Sequence, residues 1–140
     1  MDVYVDSDVV ISSLLSQSGA AYYLLNDSSI VPVISSISVE ELKTVTSRMN
    51  IDQNRFEELI KKRPKVVELK LSISSLKTEY SSYVLDINDE HIVAGAQMAK
   101  VGFLLTYNLK HYKIAKIKDN FNIQVITPAL FLQYLRSRKK

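Results

Sequence analysis

Val3-Tyr4-Val5-Asp6-Ser7-Asp8-Val9-Val10 changes its period halfway along. Residues 2–6 read as a strand, an apolar run that ends on an acid. Residues 8–16 read as a helix, with Val10, Ile11, Leu14 and Leu15 on one side. A buried strand that turns at once into a helix is the opening unit of an α/β fold. Asp6 then lies just past the C-terminal end of its strand. In open α/β sheets that edge is where ligands bind.

Outward from this stretch the alternation continues. Gly19 punctuates, and Ala20 to Leu25 read as a second short helix. Residues 30–34 form the next apolar run, and Pro32 marks that strand as short or at an edge. Residues 39–49 read as a helix with Val39, Leu42, Val45 and Met49 at helical spacing. Asp52 starts another, with Phe56, Leu59 and Ile60 inside, and Pro64 ends it. Val66 to Leu71 alternate as a strand does. Ile73, Leu76, Tyr80, Tyr83 and Val84 suit an amphipathic helix. Residues 89–100 give the clearest helix, with Ile92, Val93, Ala96 and Ala99 inward. Phe103-Leu104-Leu105 and Ile123 to Ile126 read as short buried strands. Thr127-Pro128 opens a last helix, since a threonine cap followed by proline is a start signal. The expectation is one domain over residues 1–140: a three-layer α/β/α sandwich around a mainly parallel sheet.

Composition narrows the classes. The 140 residues are 46% apolar, enough for a real core, and with only three glycines and three prolines long linkers are not expected. The absence of cysteine excludes disulfides, thiolate zinc sites and cysteine nucleophiles. No apolar run approaches the roughly 20 residues of a membrane span. The opening Met1-Asp2-Val3-Tyr4 lacks the basic region of a signal peptide, so the expected location is cytoplasmic. The net charge is +3 and the pI about 9.0. The basic groups cluster at Lys61-Lys62-Arg63 with Lys65, at Lys110, His111, Lys113, Lys116 and Lys118, and at Arg136, Arg138, Lys139 and Lys140. Such surroundings suit a polyanionic substrate, although solvated helix faces account for each cluster taken alone.

Three acids and an amide recur at the strand ends. Asp6 follows Val3-Tyr4-Val5, Glu41 follows Val31-Pro32-Val33-Ile34 after a serine-rich connection, Asp89 opens an apolar-striped helix, and Asn108 follows Phe103-Leu104-Leu105. Carboxylates converging at one sheet edge describe a site for Mg²⁺ or Mn²⁺. Each also has a plainer reading. Asp6 or Ser7 suits a helix N-cap, and Asp8 a first-turn acid favoured by the helix dipole. Ser38-Val39-Glu40-Glu41 matches a capping box, and Glu40 competes with Glu41 as ligand. Asp89 suits a helix start. His91 is read as a surface or supporting group rather than a ligand. Asn108 adds no charge to a cation site, and Thr106 is placed to donate a hydrogen bond to a neighbouring carboxylate.

With these residues assembled, the chain resembles a PIN domain, the metal-dependent nuclease fold that includes VapC-type toxins. The resemblance covers essentially the whole chain. It rests on Val5-Asp6-Ser7-Asp8-Val9, Ser35-Ser36-Ile37-Ser38-Val39-Glu40-Glu41-Leu42, Asp89-Glu90-His91-Ile92-Val93-Ala94-Gly95-Ala96, and Leu105-Thr106-Tyr107-Asn108-Leu109-Lys110-His111-Tyr112, closed by Ile126-Thr127-Pro128 and Phe131-Leu132. It implies endonucleolytic cleavage of RNA with Asp6, Glu41, Asp89 and Asn108 as catalytic residues. Asp6, Glu41 and Asp89 would be the ligands of Mg²⁺ or Mn²⁺, and Ser7, Thr106 and Lys110 substrate contacts. Many members carry Asp where this chain has Asn108, and some carry Asn. For a VapC-like toxin the implied partners are RNA, a small antitoxin and a second copy in a homodimer, with no membrane.

Two other readings stay open at this stage. A PIN-like module with Asn108 would bind RNA or protein without cutting. An apolar strand followed by Asp6-Ser7-Asp8-Val9 also fits a haloacid-dehalogenase-like phosphatase, in which the first Asp is a nucleophile. That class needs a later lysine and an acidic pair, for which Asp86 and Asp89 are poorly spaced.

Overall fold

The structure, a computed structural model, describes residues 1–138, so Lys139 and Lys140 of the basic tail lie outside the described residues. Five strands carry the frame: β1 (Asp2–Val5), β2 (Val31–Ser35), β3 (Lys65–Val67), β4 (Phe103–Leu105) and β5 (Gln124–Ile126). Every pairing is parallel and the order is β3-β2-β1-β4-β5. Parallel neighbours need a crossover, and helices supply it. These are α1 (Ser7–Leu15), α2 (Ala20–Leu25), α3 (Ser36–Arg48), α4 (Gln53–Lys62), α5 (Ile73–Tyr80), α6 (Glu90–Met98), α7 (Ile114–Phe121) and α8 (Pro128–Arg138).

The three central strands, β2, β1 and β4, bury side chains on both faces because both faces are covered. Val3 and Val5 enter one core with Val9, Leu24, Leu42, Phe56 and Phe131. Tyr4, between them, enters the opposite core with Leu76, Ile92, Val93, Ile117 and Ile123. Ile34 and Val33 divide in the same way, as do Leu105 and Leu104. This period-two division makes the three layers. Full burial of such a side chain stabilises by about 1.5–3 kcal/mol. On the second face Tyr4 lies so close to α6 that a Cβ at Gly95 would stand 2.2 Å from the Tyr4 hydroxyl.

Several boundaries differ from the sequence reading. β2 is interior rather than an edge strand. Its pairing with β3 begins only at Val33, so Pro32 has a strand partner on one side alone. β3 is shorter than the expected run, with extended pairing only to Val67. The segment after α5 continues as a 3₁₀ turn over Ser81–Tyr83, and a second 3₁₀ turn over Ile87–Asp89 leads into α6. α7 was not anticipated. It lies within the lysine-rich stretch, buries Ile117 and ends at Asn122 in the left-handed region (φ 55°, ψ 38°).

The caps also sort out. Asp52 caps α4 by accepting from the Asn54 N–H, and Thr127 accepts from the Leu130 N–H in α8. The capping box at Ser38 and Glu41 is absent. Ser35 caps α3 instead, accepting from the Ser38 N–H at 3.1 Å, so Ser38 is already inside the helix. No described helix is long and apolar enough to cross a membrane.

Candidate active site

The site is built where β1 and β4 end side by side. Val5 pairs with Leu105, and the Asp6 N–H donates to the Leu105 carbonyl at 2.9 Å. Register therefore sets Asp6 next to Thr106 at the C-terminal edge, although they are 100 residues apart. Asp6 is buried and tightly held. One carboxylate oxygen, Oδ1, accepts from the Ser7 N–H at 2.7 Å, so it is indeed an N-cap. The other, Oδ2, accepts from the Thr106 hydroxyl at 2.9 Å and the Tyr112 hydroxyl at 2.6 Å. Capping and a place in the site thus coexist in one side chain. Burial, with Asp6 beside it, raises the Tyr112 phenol far above its usual range, so it remains a donor.

Asp8 stands on the first turn of α1 and reaches the segment after β4. Its Oδ2 accepts from the Asn108 side-chain amide at 3.0 Å, the Tyr107 N–H at 3.1 Å and the Thr106 hydroxyl at 3.3 Å. Thr106 has one hydroxyl hydrogen to share between Asp8 and Asp6, and its oxygen accepts from the Asn108 N–H at 3.1 Å. Burial, then repulsion from Asp6, push the Asp8 carboxyl up from 3.8 to about 6.

Asp89 closes the 3₁₀ turn before α6, at the same cluster. Burial, then the Asp6 charge, raise it from 3.8 to about 6, while His111 pulls the other way. His111 Nδ1 lies 3.1 Å from Asp89 Oδ2. Glu41 has a separate partner: its Oε1 is 2.7 Å from His91 Nε2. His91 is buried rather than a surface group, and it steadies Glu41 from α6. Both histidines of the chain thus sit on acids singled out by the sequence. Next to Glu41 opens a groove of about 360 Å³, lined in part by Ile37, Ile73, Leu76 and Ile87.

Of the expected substrate contacts, Ser7 has a buried hydroxyl with no partner among the described residues, Thr106 is wholly buried between Asp6 and Asp8, and Lys110 is exposed on the 3₁₀ turn Leu109–His111. The first basic cluster is partly structural. Arg63 donates from Nε to the Leu25 carbonyl and from Nη2 to the Asp27 carbonyl at 3.0 Å, and Lys62 pairs with Glu58 at 2.8 Å.

The donors are the hard oxygens that Mg²⁺ and Mn²⁺ prefer. Two observations fit such an ion. The charge of Asp6 disfavours ionisation of both Asp8 and Asp89, which a cation would offset. Asp8 Oδ1 is buried and lacks a hydrogen-bond partner among the described residues. The arrangement is not a finished cage: among the described residues no three acids or histidines are gathered closely enough to hold one ion, and Glu41 is not among the groups that shift Asp8 or Asp89. Asp8, Tyr112 and His111 were outside the expected set. The sequence carries a signal for two of them, since a buried tyrosine hydroxyl seeks a partner and Asp8 lies in the first turn of the helix that Asp6 caps.

A family model described as PIN domain matches residues 2–110. A chain in a toxin-antitoxin complex from Klebsiella pneumoniae has 21% identity and a TM-score of 0.63, with 90% of this chain and 97% of that one covered. A chain in the crystal structure of VapBC2 from Rickettsia felis, bound to a DNA fragment from their promoter, has 16% identity and a TM-score of 0.61, over 89% of this chain and 97% of that one. No curated protein matches the chain.

Proposed function

The chain belongs to the PIN-domain family, and from that premise we propose that it is a metal-dependent endoribonuclease working in the cytoplasm. The observation that carries this reading is that the Asp6 charge bears on both Asp8 and Asp89 at one sheet edge, next to an enclosed oxygen of Asp8 with no hydrogen-bond partner among the described residues. Asp6, Glu41 and Asp89 would hold Mg²⁺ or Mn²⁺. A bound divalent ion supplies charge neutralisation at a scissile phosphate and a more acidic water. The protein's own groups do the positioning. Ser7, Thr106 and Tyr112 fix both oxygens of Asp6. His111 orients Asp89 and His91 orients Glu41. Asp6 and Thr106 are buried, which holds the Asp6 carboxylate away from bulk water. Exposed Lys110 and Lys61 would contact flanking phosphates.

The test is incubation of a mixed RNA pool with wild type, Asp6→Asn and Asp89→Asn, with and without Mn²⁺. Cleavage by wild type alone, and only with metal, is the expected result. RNA binding without cleavage by any of the three would favour a non-catalytic module. Intact RNA with phosphate released from small phosphomonoesters would favour the haloacid-dehalogenase-like alternative. Equal cleavage by all three would remove these acids from the mechanism.

The similar chains from the toxin-antitoxin complex and from VapBC2 support a second element, a toxin role with a small antitoxin as partner; a homodimer is proposed from the family resemblance alone. The groove beside Glu41, with Ile73 85% exposed at its rim, supports a protein partner. If a gene for a small DNA-binding protein lies immediately upstream, co-expression of its product should suppress cleavage.

A further inference from the structure

Asn108 is the neutral member of the set singled out in the sequence, and its amide is bonded to Asp8. Asp8 Oδ2 has three donors: the Asn108 side chain, the Tyr107 N–H and the Thr106 hydroxyl. All of them come from the segment directly after β4, so they fix the carboxylate in one orientation. They leave Oδ1 buried and without a partner. The nearby Val9 N–H is already bonded to the Asp6 carbonyl at 3.0 Å. An enclosed carboxylate oxygen with at most a shared donor, the Val9 N–H, is costly beside a second anion, Asp6. Ordinary capping does not require this arrangement, because a capping carboxylate uses its oxygens on helix N–H groups.

Building on the metal-dependent nuclease reading, we propose that Asp8 supplies a further carboxylate to the cation site, and that Asn108 is a positioning residue that acts through Asp8. The anionic charge then sits on α1, and the amide on the segment after β4 orients it. On this assignment Asn108 is not a catalytic shortfall. Its side chain donates where a carboxylate would repel Asp8.

Calorimetric titration with Mn²⁺ alone, in the absence of RNA, tests this. The proteins are wild type, Asp6→Asn, Asp8→Asn, Asn108→Ala and the double variant Asp8→Asn/Asn108→Ala. Asp8→Asn should weaken Mn²⁺ binding at least about tenfold, the scale on which loss of a supporting or ligating group acts. Asn108→Ala should weaken it less. The double variant should bind like Asp8→Asn alone, because a residue acting through Asp8 has no effect once that carboxylate is gone. Should Asp8→Asn fail to melt cooperatively, Asp8→Ser, which removes the same charge, is titrated in its place.

If wild type gives no Mn²⁺ binding, the metal-dependent reading falls and this proposal with it. If wild type binds, Asp6→Asn does not, and Asp8→Asn binds within about threefold of wild type, the nuclease reading stands and the role of Asp8 is overturned. Fully additive losses in the double variant would overturn the positioning role of Asn108.

Discussion

Replacing Asp8 by Asn in metal-free protein should make the variant gain stability relative to wild type as pH rises from about 4 to about 7. The folded Asp8 carboxyl sits at about 6 against an ordinary 3.8. Between those values the folded state holds a proton that the unfolded state has lost. Stability conferred by that proton is therefore lost as pH rises from about 4 to about 6, and the loss is complete above. A shift of roughly two units at about 1.4 kcal/mol each sets a ceiling near 3 kcal/mol. Solvent screening at a partly exposed side chain reduces this to about 1–2 kcal/mol. For a domain of this size that is roughly 3–8 °C in Tm. The bonds to the ionised carboxylate are already counted in the value of about 6, so any further cost of fitting an amide among the three donors shifts the difference between variant and wild type equally at every pH. The informative quantity is the change in that difference with pH. Thermal melting in EDTA at half-unit steps from pH 4 to pH 8 measures it. The reasoning is refuted if the difference is flat across this range, or if the variant loses ground as pH rises. Saturating Mn²⁺ should reverse the order above pH 6, since an ion bound only to the folded state stabilises wild type more.

Tyr112→Phe removes only the hydroxyl that donates to Asp6, and should lower kcat of RNA cleavage tenfold or more while KM stays near its wild-type value. Steady-state cleavage at saturating Mn²⁺ checks the split. Arg63→Ala removes a charged donor from the Leu25 and Asp27 carbonyls, and should cost about 2–3 kcal/mol in urea unfolding. Lys61→Ala should leave stability unchanged and flatten the salt dependence of RNA binding. Gly95→Ala sets a methyl against the Tyr4 ring end and should destabilise by about 1–3 kcal/mol, with Tyr4→Phe recovering part of the loss.

What the sequence determined by itself is the set of local decisions. Val3-Tyr4-Val5 and Phe103-Leu104-Leu105 are apolar at every position, a pattern stable only in a strand covered on both faces. Asp52 and Thr127 mark helix starts because their oxygens satisfy N–H groups two or three residues on. α7 leaves little periodic signal in the sequence, because its apolar residues Ile114, Ile117 and Phe121 are few and lie among lysines. The serine run Ser35-Ser36-Ile37-Ser38 offers several equivalent caps. Choosing Ser35 depends on the end of β2, which its pairing with β1 and β3 sets, and that choice frees Glu41 for His91. The tertiary structure alone decided the company each acid keeps. Asp8 meets Asn108, and Asp6 meets Tyr112, across about a hundred residues of chain, through the register of β1 on β4. Charge repulsion and burial depend on distance in space, so no periodicity along the chain encodes them.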